Sequence, residues 1–248
     1  MKASSKFVLT AVLFFVATAV AYNTVLTAEY RKGEYKDPYL NYSDLNLKGF
    51  TDVAISGAHN MRFKVIQGEH KVYVHKNAAA YVQVKQDGNR LIVRTVLPEK
   101  VNYQSNIYQV VIAVPELKSL QTDAAYTSNG EEVIIDNAME LFTGYSGVSV
   151  VLEDLEVDSL SLTQDHGSKV TLKNNRINAL HATVGMKSNS YSILELYSSN
   201  KIANADLQIQ NRSELVMQDL RIPNLNYTFS ERAKATMTGA SLASVLKK

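Results

Sequence analysis

The side chains with the widest chemical range in this 248-residue chain are five histidines, His59, His70, His75, His166 and His181. A zinc site needs several such ligands converging at tetrahedral geometry. His70 and His75 are the nearest pair, and their odd separation along a strand sends them to opposite faces. His166 falls at a turn and His181 at an outward strand position. All five are expected to be exposed polar residues, with no metal site and no cofactor. Asp165-His166 beside Lys169 has the residue types for acid–base work, but a glycosidase needs paired carboxylates about 5 to 9 Å apart. Glu153, Asp154, Glu156 and Asp158 cluster, yet Lys173, Asn174 and Arg176 stand twenty residues beyond their counterparts. That pattern reads as a solvated, charge-complementary ladder. No G-x-S-x-G, P-loop or G-x-G-x-x-G occurs, and the absence of cysteine removes thiolate catalysis, Cys-zinc sites and disulfides. No catalytic residue is assigned.

A column of threonines is the other feature with chemical content. Thr143, Thr163 and Thr183 recur at intervals of twenty, with Asp123 before them and Gln210 and Thr228 after. β-Branched residues suit strands and stack hydroxyl on hydroxyl, which alone accounts for the column. Its functional reading is a flat hydroxyl array that meets a carbohydrate or a crystalline surface. Thr143, Thr163 and Thr183 are accordingly the candidate binding face. The single carboxylate, Asp123, is too few for the parallel β-helix enzymes that gather several acids on one face to act on acidic polysaccharides.

A period of about twenty residues positions these side chains. Leu120, Glu140, Leu160 and Leu180 are spaced by 20, and Leu207 and Leu225 continue the column after steps of 27 and 18. Two residues after each start come Thr122, Phe142, Leu162, Ala182, Ile209 and Tyr227, the alternation of a strand. Turn residues recur at Asn129-Gly130, Ser146-Gly147, His166-Gly167, Ser188-Asn189, Asn211-Arg212 and Ser230-Glu231. A second corner falls at Asn137, Asp154, Asn174, Asp219 and Gly239. Such residues tolerate positive φ or bond their own backbone. Val157, Ile177, Ile222 and Leu242 each follow this corner by three, giving each coil three short strand-like sides. A coil of this size buries its apolar side chains only by stacking on neighbours. The pattern predicts an all-β solenoid of parallel strands over residues 120–248, with no helical periodicity after Ala28.

The N-terminus carries a different signal. Lys2 and Lys6 precede an almost uncharged run, Phe7 to Ala28, of 22 residues. That length crosses a hydrocarbon core of about 30 Å as a helix, and the lysines ahead of it send the rest of the chain outward. Ala19-Val20-Ala21 also fits a signal-peptidase site, so the alternative is a cleaved, exported protein. Residues 1–28 are read as signal-anchor or signal peptide, and 29–43 as a polar, Tyr-rich linker. Residues 44–248 form the body, irregular β to 119 and regular coils from 120. Of 14 tyrosines, Tyr22 and Tyr30 lie where an interfacial ring belongs, whereas Tyr35, Tyr39 and Tyr42 fall in the linker. A net charge of +2 gives no electrostatic case for nucleic acid.

The irregular part reads as strands separated by Gln67-Gly68-Glu69, Lys76-Asn77 and Asp87-Gly88-Asn89, with a hairpin at Asp87-Gly88. Its segments GFTDVAISGAHNMRFKVIQGE, VYVHKNAAAYVQVK, DGNRLIVRT and VVIAVPELKSLQTDAA resemble the putative auto-transporter adhesin, head GIN domain family of bacterial envelope proteins. The likeness continues through the coils to about Leu246. It implies a right-handed parallel β-helix or solenoid at the cell surface or in the periplasm, and adhesion in place of catalysis. The chain is therefore expected to be a non-enzymatic, membrane-anchored envelope protein. Its expected partners are the membrane, through the N-terminal helix, and an envelope glycan or protein. An exposed terminal coil at Thr236–Leu246 invites end-to-end self-association. The alternative is a polysaccharide-modifying β-helix enzyme.

Overall fold

The computed structural model describes residues 3–33, 36–57, 61–98, 107–136 and 148–246. Tyr35, His59, Asn137, Glu140, Phe142, Thr143, Ser146-Gly147 and the Lys247-Lys248 tail lie outside the described residues. The chain divides into two units, Met1–Tyr42 and Ser43–Lys248.

The first unit is dominated by α1 (Ala3–Lys32), 30 residues long. At 1.5 Å per residue it measures about 45 Å, so the helix outruns the Phe7–Ala28 run at both ends. An 18-residue stretch within Ser5–Lys32 has a mean hydropathy of 1.9, and none of that stretch is buried in the protein. The threonines scattered through it are no obstacle to an apolar setting. Thr10, Thr18 and Thr24 donate their hydroxyls back to the carbonyls of Lys6, Phe15 and Val20, a bond that satisfies the side chain within the helix.

The second unit is mostly β. After β1 (Tyr42–Asp44), its first part comprises β2 (Asp52–Ser56), β3 (Arg62–Gln67), β4 (Lys71–His75), β5 (Val82–Asp87), β6 (Arg90–Leu97), β7 (Val110–Val114), β8 (Ser119–Asp123), β9 (Ala125–Ser128) and β10 (Glu131–Ile134). Pairing here is mixed. β5 and β6 form the antiparallel hairpin expected at Asp87-Gly88, while β2 pairs in parallel with both β6 and β8. Asn129 and Gly130, read as a solenoid corner, instead join β9 to β10 as an antiparallel hairpin. Both have positive φ, 50° and 84°, the conformation a two-residue turn needs to match the strand twist.

The later part is regular. β11 (Ser149–Glu153), β13 (Lys169–Lys173), β15 (Ile193–Tyr197), β17 (Glu214–Gln218) and β19 (Lys234–Thr238) pair in parallel, one after another. β12 (Glu156–Asp165), β14 (Arg176–Val184), β16 (Lys201–Ile209) and β18 (Asn224–Phe229) do the same. The first stack continues into β3 and β7 as sheet A, and the second into β8 and β2 as sheet B. Each repeat contributes one strand to each sheet. Val150, Leu152, Val170, Leu172, Leu194 and Leu196 of sheet A face Leu160, Leu162, Leu180 and Leu207 of sheet B in one buried core.

Positive φ at Asp154, Asn174 and Asp219 on one corner, and at His166, Asn189 and Asn211 on the other, lets the chain pass between sheets. A second device reinforces the first corner. The buried Asn175 side chain donates to the Leu152 carbonyl and accepts from the Leu155 amide, and Asn200 repeats the donation to Leu172 one step on. These bonds satisfy backbone groups that the turn would otherwise leave buried and unpaired.

Four details of the expected coil are corrected. The third side is continuous with the first: Val157 and Leu160 lie on the same strand, β12. β8 pairs directly with β12, Leu120 opposite Leu162, so no coil starting at Glu140 intervenes between them in sheet B. Leu180 is opposite Ala205, not Leu207, because the turn Gly185–Ser192 is five residues longer than its counterpart His166–Ser168 and so lengthens the step from 20 to 25 residues, not to 27. Lastly, Leu242 belongs to a short helix, α2 (Ala240–Leu246), and not to a strand side.

Candidate functional site

Strand alternation sends every second residue of sheet B outward. Thr163 of β12 sits directly opposite Thr183 of β14, and the column runs on to Gln208 of β16 and Thr228 of β18. In the other direction Thr163 faces Gln121 of β8. Asp123 and Gln210, placed in this column by spacing alone, are not in it: Asp123 lies opposite Asp165, two positions further along. A second outward column, two residues earlier, contains Ser119, Ser161, His181, Asp206 and Asn226. Hydroxyls, amides and one carboxylate thus tile a face with neighbouring strands about 4.8 Å apart. Its upper end holds a depression of about 310 Å³ lined by Asp52, Asn89, Arg90, Ser119, Gln121, Ser161 and Thr163. Within it Asp52 accepts from Ser119 and Asn89, and Arg90 donates to Gln121.

The outward side of sheet A differs. Lys64 pairs with Glu153, Lys169 with Glu195 at 2.8 Å, and Thr171 donates to the same Glu195 at 3.1 Å. Cations lie over aromatic rings as well, Arg62 at 4.9 Å from the Tyr108 centroid and Lys173 at 4.8 Å from that of Tyr197.

The histidines depart from expectation at three positions. His181 is exposed and outward. His75 and His166 are buried, 8% and 6% accessible, and the His75 ring accepts from the Asn77 amide. His70, half-buried, is within 2.9 Å of the Phe50 carbonyl, and its ring packs edge-on against that of Phe50. His166 Nδ1 lies 2.5 Å from Asp123 Oδ1, and Lys187 Nζ is 2.7 Å from the other oxygen of that carboxylate. The Lys187 amide also donates to Asp165 at 2.8 Å. A His–Asp pair is part of a hydrolase triad, but here the nearby Ser190 and Ser192 hydroxyls donate to the His166 carbonyl and not to its ring. The three residues come from three successive repeats and staple the corner. The hydrogen bond to Asp123 raises the Lys187 pKa above the ordinary lysine value, against desolvation.

Among the described residues no group of three or more His, Asp or Glu converges as a metal site. Glu156 and Arg176 pair across β12 and β14 at 3.4 Å, as the ladder reading requires. Glu153 departs from it by pairing with Lys64.

Residues 49–238 match the model of the family described as putative auto-transporter adhesin, head GIN domain. The chain belongs to that family. Solved structures similar to it include a putative adhesin from Bacteroides fragilis, with 12% identity, 79% of this chain and 96% of that one covered, and a TM-score of 0.37. A putative adhesin from Parabacteroides merdae has 10% identity over 79% and 95% of the two chains, with a TM-score of 0.36. A putative lipid binding protein from Parabacteroides distasonis has 13% identity over 80% and 94%, with a TM-score of 0.28. No curated protein matches the chain.

Sequence reasoning missed several polar residues of this head GIN protein. The serines at 168, 190, 192 and 213 are fully buried and stack along the second corner. Ser168 and Ser192 lie 3.3 Å apart, and the Ser192 amide donates to Ser213. Their shared signal was a polar residue a few places after each turn, which composition alone assigns to loops.

Proposed function

We propose that this head GIN protein is a non-enzymatic, membrane-anchored component of a bacterial envelope, with the outer face of sheet B as its adhesive surface. In this reading residues 1–28 anchor, 29–43 link, and 44–248 form the body, whose two parallel stacks wind as a right-handed β-solenoid. The observation that carries the reading is the difference between the two outer faces. Ser161, Thr163, His181, Thr183, Asp206, Gln208, Asn226 and Thr228 make no side-chain hydrogen bond within the protein among the described residues. Their donors and acceptors remain available to a polyhydroxylated ligand, and Thr163 with Thr183 forms the centre of the array. The ligand class is an envelope glycan or a glycosylated partner.

The test uses the full chain in phosphatidylcholine nanodiscs on an array of envelope and extracellular glycans. Binding that is lost when Thr163 and Thr183 are both changed to Lys supports the face. Binding unaffected by those changes overturns it, and turnover of any glycan replaces adhesion with the enzyme alternative. Anchoring is tested separately. Because the chain has no cysteine, one introduced at Ser161 reports sidedness to a membrane-impermeant maleimide. Labelling from outside the cell is the outcome that supports the proposed orientation, and labelling only after lysis overturns it.

A further inference from the structure

A row of charges crosses the starts of the sheet B strands. Glu156, Arg176 and Lys201 are directly opposite one another on β12, β14 and β16. Arg221 stands three residues before Asn224, as Lys201 stands three before Asn204, the partner of Asn224. The row therefore reads acid, base, base, base. Its first two members satisfy each other through the Glu156–Arg176 pair. Lys201 and Arg221 have no ion pair among the described residues, and like charges on adjacent strands repel. A purely structural ladder would have alternated again, as sheet A does with Lys169 and Glu195.

These cations flank an open groove of about 710 Å³, within the size range of small-molecule sites. Val157, Ile177 and Ile202 lie beneath it with their side chains turned into the core, Pro223 is exposed at its rim, and its opposite end holds Glu116 and Asp158. We propose that this groove binds an acidic glycan, with uronate carboxylates on Lys201 and Arg221 and a sugar ring against the exposed Pro223. Two observations favour a glycan over an acidic peptide or a lipid. The cations repeat at the interstrand step of about 4.8 Å, close to the advance of one sugar ring, whereas same-face side chains of an extended peptide repeat at about 6.7 Å. The groove is also open along its length, which suits a linear polymer and gives no enclosed room for an acyl chain. Glu116 and Asp158 oppose a uniformly acidic polymer, so acid sugars interspersed with neutral or amino sugars fit best. This site is separate from the Thr163–Thr183 face and stands or falls independently of it.

The experiment titrates the full chain, in phosphatidylcholine nanodiscs, with trigalacturonate and with its methyl ester. Trigalacturonate is expected to bind at least tenfold more tightly than the ester, more weakly as salt is added, and at least tenfold more weakly to the Lys201→Ala, Arg221→Ala double variant. Lys201→Glu separates binding from folding: it relieves the repulsion, so its melting temperature is expected to hold or rise while binding is lost. Lys234→Ala, which removes a cation outside the groove, is expected to leave trigalacturonate binding unchanged. Absence of binding at millimolar trigalacturonate, equal affinity for acid and ester, or full affinity in the double variant overturns the proposal. So does Lys201- and Arg221-dependent binding to phosphatidylglycerol vesicles without binding to the sugar.

Discussion

The two outer faces of the body are built on the same core and the same strand spacing, yet they use their polar groups in opposite ways. On sheet A, Lys64, Glu153, Lys169, Thr171 and Glu195 bond one another, and Thr171 with its strand neighbour Val151 is buried although both point outward. Sheet B puts Ser161, Thr163, His181, Thr183, Asp206 and Gln208 at the matching depth with no partner within the protein among the described residues. Long, oppositely charged side chains cover their neighbours and satisfy themselves. Short hydroxyls and amides do neither, because they cannot span an interstrand gap of about 4.8 Å in every case. Sheet A is thus a wall and sheet B a surface, and substitutions on the two faces should separate stability from binding.

The largest effect removes what the faces share. Leu172 is fully buried in the core between the sheets, and Leu172→Ala is expected to cost about 2–5 kcal/mol. Urea unfolding followed by tyrosine fluorescence checks the value. Ligand binding at 25 °C should survive in whatever fraction remains folded, since Leu172 touches neither surface. A smaller but still distinct loss is expected for Glu195→Ala, about 1–3 kcal/mol. It strips the partner from both Lys169 and Thr171 in a half-covered setting. The same change should leave glycan binding at the wild-type level. Equal costs for Glu195→Ala and Thr163→Ala would break the contrast between the faces.

How much of this was legible in the sequence follows from the range of the interactions. The corners could be read because positive φ restricts residue choice locally: Asp154, Asn174, His166, Asn211 and Asp219 all stand where the turn pattern put them. The alternation Val150–Leu152 and Val170–Leu172 was equally plain, since burial on one face of a strand imposes a period of two. Registration between distant repeats was not. Nothing in the spacing of Leu180 and Leu207 shows that the residues added in Gly185–Ser192 leave Ala205 opposite Leu180. Gly185 explains why that turn is fixed once formed. Its φ is 81°, and a Cβ there would meet the Gln210 carbonyl at 2.7 Å and collide with the Ser213 hydroxyl. The candidate site was half legible for the same reason. Thr163 and Thr183 were paired correctly across an unbroken twenty-residue step, whereas Asp123 was assigned by two such steps although β8 pairs directly with β12, and Gln210 by a step of 27. The His166–Asp123–Lys187 staple lay beyond reach, because its members stand 43 and 64 residues apart from Asp123.

That staple and a second ion pair give the comparison a pH dependence. Lys187 has its pKa raised by the hydrogen bond to Asp123. A group raised on folding contributes stability that is complete below its unfolded value, about 10.4, and lost as pH climbs through the folded value. Asp44 is shifted the other way, lowered first by its hydrogen bond to Lys71. Its contribution is present above the unfolded carboxylate value, about 3.9, and disappears as pH falls through the lower folded value. Both straps are therefore intact near neutrality. Lys187 is half exposed, so solvent screening holds its share to about 1 kcal/mol or less. The stability difference between wild type and Lys187→Met, measured by urea unfolding, should be constant from pH 6 to 9 and shrink above about pH 10.5. Thr183 carries no charge, and Thr183→Ala should show no such shrinkage.

The smallest expected change in stability is the one that decides most about function. Thr163 and Thr183 are half-buried, outward, and bonded through their side chains to nothing within the protein among the described residues. Replacing either by alanine removes a methyl, a hydroxyl and some β propensity, and surface changes of this kind fall within about 0.5 kcal/mol. Replacing Thr by Val keeps the branch and removes the hydroxyl alone, so a purely structural column predicts Thr163→Val, Thr183→Val to be neutral in every measurement. An adhesive face predicts the same unchanged unfolding midpoint together with a loss of glycan binding of tenfold or more, because two donors and their acceptors have left the centre of the array. Retained binding in the double valine variant would assign the threonines to strand packing and move the adhesive role elsewhere on the body.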